Sequence, residues 1–171
     1  MKISIIGYSG SGKSTLASKL GVFYDVPVLY LDKVQFLPDW VDRDEEEAKN
    51  IIKDFLNNNQ DGWVIDGNYT KRYLEERLSQ SDKIIFLNFN RFICFYRALK
   101  RRIIYRGKNR ESMTVGCDEK FDYGFMKWIL IDGRTKQRKQ SYENIKNTYK
   151  EKFIEIKNQK QLDKYINSII K

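Results

Sequence analysis

Histidine is absent from this sequence, and cysteine occurs only twice, at Cys94 and Cys117. Two thiols with no metal-ligand spacing are too few for a disulfide framework, and with no imidazole beside them they offer no conventional zinc site; they read as lone core or surface thiols. Any proton transfer near neutral pH would fall to carboxylates. No apolar run approaches the roughly 18 residues of a membrane span, which points to a cytoplasmic protein with no membrane partner. Repeats, linkers and low-complexity tracts are also missing, so residues 1–171 are expected to form a single domain.

What is present suits a folded α/β protein. Hydrophobic residues make up 41% of the chain and aromatics 14%, enough for a core, while 32% charge is ordinary for a globular protein. The net charge is +9, and the basic surplus falls entirely after residue 85. Such a bias favours polyanionic partners, either a nucleoside triphosphate in a closing cleft or a nucleic-acid backbone. Charge does not choose between them, and oligomeric state is not readable.

Periodicity predicts alternating strands and helices. Ile3-Ser4-Ile5-Ile6 reads as a strand, and Lys13 to Phe23 as a helix with Leu16, Leu20 and Phe23 on one face. Val28 to Leu31 is a second strand ending in Asp32, followed by a loop with Phe36, Pro38 and Trp40. Asp42 is expected to cap the next helix, with Glu45 as its reciprocal partner and an apolar face from Ala48 to Leu56. Trp63 to Asp66 and Lys83 to Leu87 are the third and fourth strands, with a short helix near Tyr73 to Leu78 between them. Phe92, Phe95, Tyr96, Leu99 and Ile103 should line one side of a further helix, before an aperiodic loop from Tyr105 to Cys117. Helices around Phe125 and Ile145, a fifth strand Phe153 to Ile156 and a closing helix complete a parallel α/β pattern.

Gly7-Tyr8-Ser9-Gly10-Ser11-Gly12-Lys13-Ser14 fits G-x-x-x-x-G-K-[ST] between a strand and a helix. Glycines let the backbone curl so that several N–H groups, with the positive end of the helix dipole, face phosphate oxygens. Lys13 would reach the β- and γ-phosphates of ATP, the Ser14 hydroxyl would ligate Mg²⁺, and Thr15 would lie near the α-phosphate. ATP and magnesium are the expected ligands, with Gly7, Ser9, Gly10, Ser11 and Gly12 in the cradle.

With Leu31-Asp32, the aromatic loop through Trp40, Trp63-Val64-Ile65-Asp66-Gly67-Asn68-Tyr69, Arg110, Gly116-Cys117-Asp118-Glu119 and Phe121-Asp122 following this loop in order, the chain resembles the bacterial DNA topology modulation proteins, P-loop relatives of adenylate kinase. The resemblance covers roughly residues 1 to 140. It implies a P-loop NTPase fold, a five-stranded parallel sheet flanked by helices, adenylate-kinase-like with a short lid near 105–120. In adenylate kinase the third strand ends in Asp-Gly-Phe-Pro-Arg, where the aspartate orders magnesium waters and the arginine holds the acceptor's phosphate. Here Asp66-Gly67 stands, Asn68-Tyr69 replaces Phe-Pro, and the nearest arginine is Arg72. A water-mediated magnesium role for Asp66 carries over, recognition of a nucleoside monophosphate does not, and Asp66 capping the following helix is the other reading.

On the acceptor side, Asp32 stands where α/β sheets place ligands and is the candidate general base, or else a turn cap. Phe36 and Trp40 either stack on a planar acceptor or fill a core edge; Gly67, Asn68 and Arg72 complete the expected acceptor wall. Arg97 and Arg101 share a helical face, as do Arg134 and Arg138, and Arg106 and Arg110 lie in the loop between. These match arginines closing over a transferring phosphoryl group, unless they are solvated surface charges. The leading expectation is a small-molecule kinase whose acceptor is a nucleotide, a nucleoside or another small hydroxylated molecule; the alternative is a DNA-associated regulator that uses ATP as a switch.

Overall fold

The computed structural model describes residues 1–69, 74–108 and 110–169. Its centre is β1 (Lys2–Gly7), in which every residue after Lys2 is buried. On one side β1 pairs in parallel with β5 (Trp63–Asp66), which pairs with β2 (Val28–Tyr30); on the other it pairs with β6 (Lys83–Leu87), which pairs with β7 (Phe153–Ile156). The order β2-β5-β1-β6-β7 makes a five-stranded, wholly parallel sheet. Strands covered on both faces need continuous apolar runs, and Trp63-Val64-Ile65 and Ile84 to Leu87 supply them with no alternation.

Helices cover both faces. α1 (Lys13–Tyr24) contributes Leu16, Ala17 and Leu20 to a core with β1, β6 and Leu162 of the closing helix α8 (Gln159–Ile169). Opposite it, Trp63 and Ile65 pack on Leu31 and Val34 of α2 (Leu31–Gln35) and on Ala48, Ile52 and Leu56 of α3 (Glu45–Asn58). The remaining helices are α4 (Leu74–Gln80), α5 (Arg91–Ile104), α6 (Tyr123–Leu130) and α7 (Lys136–Thr148). Among the described residues no helix is long and apolar enough to cross a membrane. Because the chain leaves β1 for one edge and later returns to the other side, its flanking connections diverge at the carboxyl end of β1 and open a crevice there.

Several local expectations are corrected. Leu31 and Asp32 are not strand residues: the strand stops at Tyr30, and both belong to the first turn of α2, where buried Leu31 meets the second core. The segment expected as a loop is a tight hairpin, β3 (Phe36–Leu37) against β4 (Val41–Asp42) across a Pro38–Trp40 turn. The cap of α3 is Asp44, not Asp42; its Oδ1 accepts from the N–H groups of Glu46 and Glu47 at 3.0 Å, while Asp42 accepts from the Gln35 side chain at 2.5 Å.

The expected apolar face of α5 is also turned. Cys94 and Ala98 are buried, while Phe92 is 70%, Tyr96 63% and Ile103 70% exposed. α5 begins so close under the Gly7–Ser14 loop that small residues must face inward: a Cβ on Gly10 would overlap the Cys94 carbonyl. Closeness of backbones, not bulk, decides the buried stripe here.

Candidate functional site

The loop between β1 and α1 is shaped by glycines at positive φ. Gly7 (φ 146°) lies against β6, where a Cβ would come within 2.6 Å of the Leu87 carbonyl, and Gly10 (φ 77°) lies on α5. The Ser11 N–H closes a turn onto the Tyr8 carbonyl at 3.1 Å. Gly12 stands at the N-cap of α1 with no side-chain cap and no acidic residue in the first turn, so the helix start offers its amides and dipole to an external anion. Lys13 is folded onto its own loop, its Nζ donating to the Tyr8 carbonyl at 3.3 Å. Ser9 Oγ accepts from Trp128 Nε1 at 3.3 Å, and Ser11 is fully buried.

Beside this loop, Ser14 and Asp66 share the same cavity wall. Asp66 is 6% exposed and its Oδ1 has no hydrogen-bond partner among the described residues. Burial pushes its carboxyl above the usual range, with Lys13 opposing and Asp32 adding to the rise. Gly67, Asn68 and Tyr69, which follow Asp66, are not helical, so Asp66 does not act as a helix cap. An uncapped helix start, an ammonium, a hydroxyl and an unpaired buried carboxylate oxygen together fit a triphosphate with its Mg²⁺.

Residues after β5 hold the loop. The Asn68 amide bonds both ends of Gly7, accepting its N–H at 2.8 Å and donating to its carbonyl at 2.6 Å. Arg77 of α4, fully buried, donates to the carbonyls of Gly67 at 3.4 Å and Tyr69 at 3.1 Å; burial lowers its pKa to about 10. Tyr69 in turn donates its hydroxyl to Asp32 Oδ1 at 2.7 Å.

Lys13, Ser14, Asp32, Asp66, Asn68 and Tyr69 face one cavity of about 750 Å³. Phe36 and Trp40 form an edge-to-face pair on its far wall, with ring centroids 5.1 Å apart. The segment 110–120 is stitched to that hairpin. Thr114 Oγ1 donates to the Phe36 carbonyl at 2.6 Å, Cys117 Sγ to the Leu37 carbonyl at 3.2 Å, Asp39 N–H to the Gly116 carbonyl at 3.3 Å and Trp40 Nε1 to the Asp118 carbonyl at 3.0 Å. Lys120 Nζ lies over the Trp40 ring, 4.4 Å from its centroid.

The arginines divide. Arg101 and Arg110 both pair with Glu119, a buried carboxylate on the cavity wall; Arg101 Nε donates to it at 2.7 Å, and burial lowers the pKa of Arg101. Arg138 reaches the cavity with its guanidinium 4.4 Å from the Trp128 ring centroid. Arg97 also borders the cavity, but donates to the Ser11 carbonyl at 2.9 Å and to Gln159 at 2.5 Å, lying over Phe89. Arg134 is tucked beneath the loop, 3.7 Å from the Tyr8 ring centroid, donating to the carbonyls of Phe89 at 2.8 Å and Ile129 at 3.2 Å; burial depresses its pKa.

Of the expected site residues, Gly7, Ser11, Thr15, Arg106 and Arg134 do not line the cavity. Thr15 points outward at the start of α1, and Arg106 is exposed in the turn after α5; neither lines the wall. Arg72 lies outside the described residues. Glu119, Tyr69, Arg77, Lys120 and Trp128 were not singled out from sequence. Of these only Glu119 and Tyr69 carried a signal, by lying inside the segments of family resemblance.

A scan against protein-family models and a search of curated proteins return no match. Among solved structures, the chain is similar to an uncharacterized protein from Eubacterium ventriosum, at 27% identity over 99% of this chain and 96% of that one, with a TM-score of 0.54. It is also similar to a shikimate kinase from Bacteroides thetaiotaomicron, at 17% identity over 99% and 96%, with a TM-score of 0.51. The second likeness shows a shared fold, a five-stranded parallel sheet flanked by helices; the resemblance to DNA topology modulation proteins continues to rest on the sequence segments alone.

Proposed function

We propose that this chain is a kinase that transfers the γ-phosphoryl group of Mg-ATP to a small hydroxylated acceptor. The observation that carries this reading is that the Gly7–Ser14 loop and the Asp32–Tyr69 pair open into the same cavity, on either side of Asp66. A nucleotide switch needs the loop alone; an acceptor chamber beside it serves transfer, which disfavours the DNA-associated regulator.

The loop amides and Lys13, released from the Tyr8 carbonyl, would bind the β- and γ-phosphates, and Ser14 and Asp66 are the residues that would hold the magnesium. Mg²⁺, when bound, neutralises charge on the β- and γ-oxygens. Asp32, oriented by Tyr69, accepts the acceptor's hydroxyl proton, while Phe36 and Trp40 flank its body. Arg101, Arg110 and Arg138 face the transferring group, and Arg97 and Arg134 brace the loop from behind. The 105–120 segment serves as the lid.

The test is a panel of nucleosides, nucleotides and small hydroxylated metabolites incubated with Mg-ATP and scored for ADP release. At least one should raise release above the acceptor-free rate; a flat response across the panel would turn the assignment toward a regulator.

A further inference from the structure

Glu119 sits where the reaction, as proposed above, needs positive charge. Its side chain is 6% exposed, yet the carboxylate lies on the cavity wall and pairs at once with Arg101 from α5 and Arg110 from the 110–120 segment. The two guanidinia repel each other, and Arg101 is already penalised by burial. Two like charges brought together in a partly buried site need an anion between them. One carboxylate against two guanidinia leaves one net positive charge facing the cavity, available to a transferring phosphoryl group.

The placement of Glu119 is itself fixed by the acceptor wall. Its two neighbours in sequence both rest on Trp40: the Asp118 carbonyl accepts the indole N–H at 3.0 Å, and the Lys120 ammonium lies over the ring. Around Gly116, Thr114 and Cys117 tie the same segment to the hairpin backbone. The arginine pair is therefore registered against the surface that would touch the acceptor.

From this we infer that Glu119 is a positioning residue for phosphoryl transfer, holding Arg101 and Arg110 together at the cavity and linking their placement to the Trp40 hairpin. It touches no reacting atom in this role. It acts through the guanidinia, so its loss should weaken binding of the transition state more than binding of the ground state.

The experiment compares wild type, Glu119→Gln and Glu119→Asp by calorimetric binding of Mg-ADP, with and without aluminium fluoride, the fluoride complex mimicking the transferring phosphoryl group. Thermal melts are run alongside. Glu119→Gln should lose about tenfold or more of the additional affinity that fluoroaluminate confers while Mg-ADP alone changes less than about threefold, and Glu119→Asp, which keeps the charge, should recover part of the loss. Equal losses for both ligands, in Gln and Asp variants alike, would make Glu119 merely structural; no loss, or tighter fluoroaluminate binding in Glu119→Gln, would also overturn the inference. If wild type binds Mg-ADP but gains nothing from fluoroaluminate, the kinase reading itself fails and the inference with it. A wild type that transfers phosphoryl normally beside an unchanged Glu119→Gln would sink the inference alone.

Discussion

Asn68 and Gly7 are joined by two hydrogen bonds through a single side-chain amide, at 2.8 Å and 2.6 Å, across 61 positions of sequence. The start of the phosphate loop is thus pinned to the end of the neighbouring strand β5, in the plane of the sheet. Asn68 was expected to meet an acceptor; its amide bonds the loop, while the residue also lines the cavity.

Replacing Asn68 by Ala should therefore act on nucleotide binding. Two part-buried backbone groups lose their partners, at about 1–3 kcal/mol each before water compensates. The melting temperature should fall and ATP should bind more weakly, while any acceptor's KM stays near its wild-type value. A selective rise in acceptor KM would return Asn68 to the acceptor wall.

Asp66→Asn separates folding from metal use. Burial disfavours the carboxylate, so the neutral isostere should leave the ligand-free protein as stable or more so, by about 2–4 °C for each ~1 kcal/mol relieved. The same substitution should shrink the thermal shift produced by Mg-ATP toward that of ATP with EDTA. A variant melting well below wild type, with its magnesium response intact, would refute this.

Arg97 and Arg101 are one helical turn apart and should nevertheless fail differently. Arg97→Ala removes the brace on the Ser11 carbonyl, so ATP affinity should drop by about tenfold. Arg101→Ala should spare affinity and cut turnover, by up to ~10³ if its guanidinium meets the transferring group. Paired titration and initial-rate measurements decide; identical profiles for the two variants would show that the division between brace and cavity arginine is false.

Glu155 on β7, which does not line the cavity, gives a pH signature. Burial opposes its ionisation, but the Asn88 amide, Lys157 and Lys146 outweigh that and hold its pKa below the usual 4.5. A depressed carboxyl contributes stability that is present above the unfolded value and lost as pH falls through the folded one. Urea midpoints should therefore fall below pH 4.5 in wild type and fall less in Glu155→Gln. Parallel curves would disprove the contribution.

How much of this could be read in advance depends on how local the cause is. The strand, loop and helix around Gly7–Ser14 were legible because turn chemistry and spacing act within a dozen residues. The sheet strands were legible because burial on both faces leaves unbroken apolar runs. The buried face of α5 was not, since it depends on how near Gly10 lets two backbones come. Helical spacing put Arg97 and Arg101 on one face, but could not show that one turns to Ser11 and the other to Glu119. Asp42 and Asp44 are both plausible caps by type, and the Gln35 side chain, brought near by the hairpin, engages the first. Glu119 is central to the cavity for reasons of tertiary pairing alone.

Asp39 and Trp40, at the tip of the hairpin, both carry φ of 62°, a conformation that costs a non-glycine residue about 1–2 kcal/mol. The Gly116 and Asp118 carbonyls, which accept from the Asp39 N–H and the Trp40 indole, help to repay that. A backbone cut in the segment near those carbonyls would consequently relax the hairpin tip and, on the kinase reading, dismantle selectivity for the acceptor, while the Gly7–Ser14 loop stayed standing. On the kinase reading, choice of acceptor and hold on ATP would therefore rest on separately breakable parts of the chain.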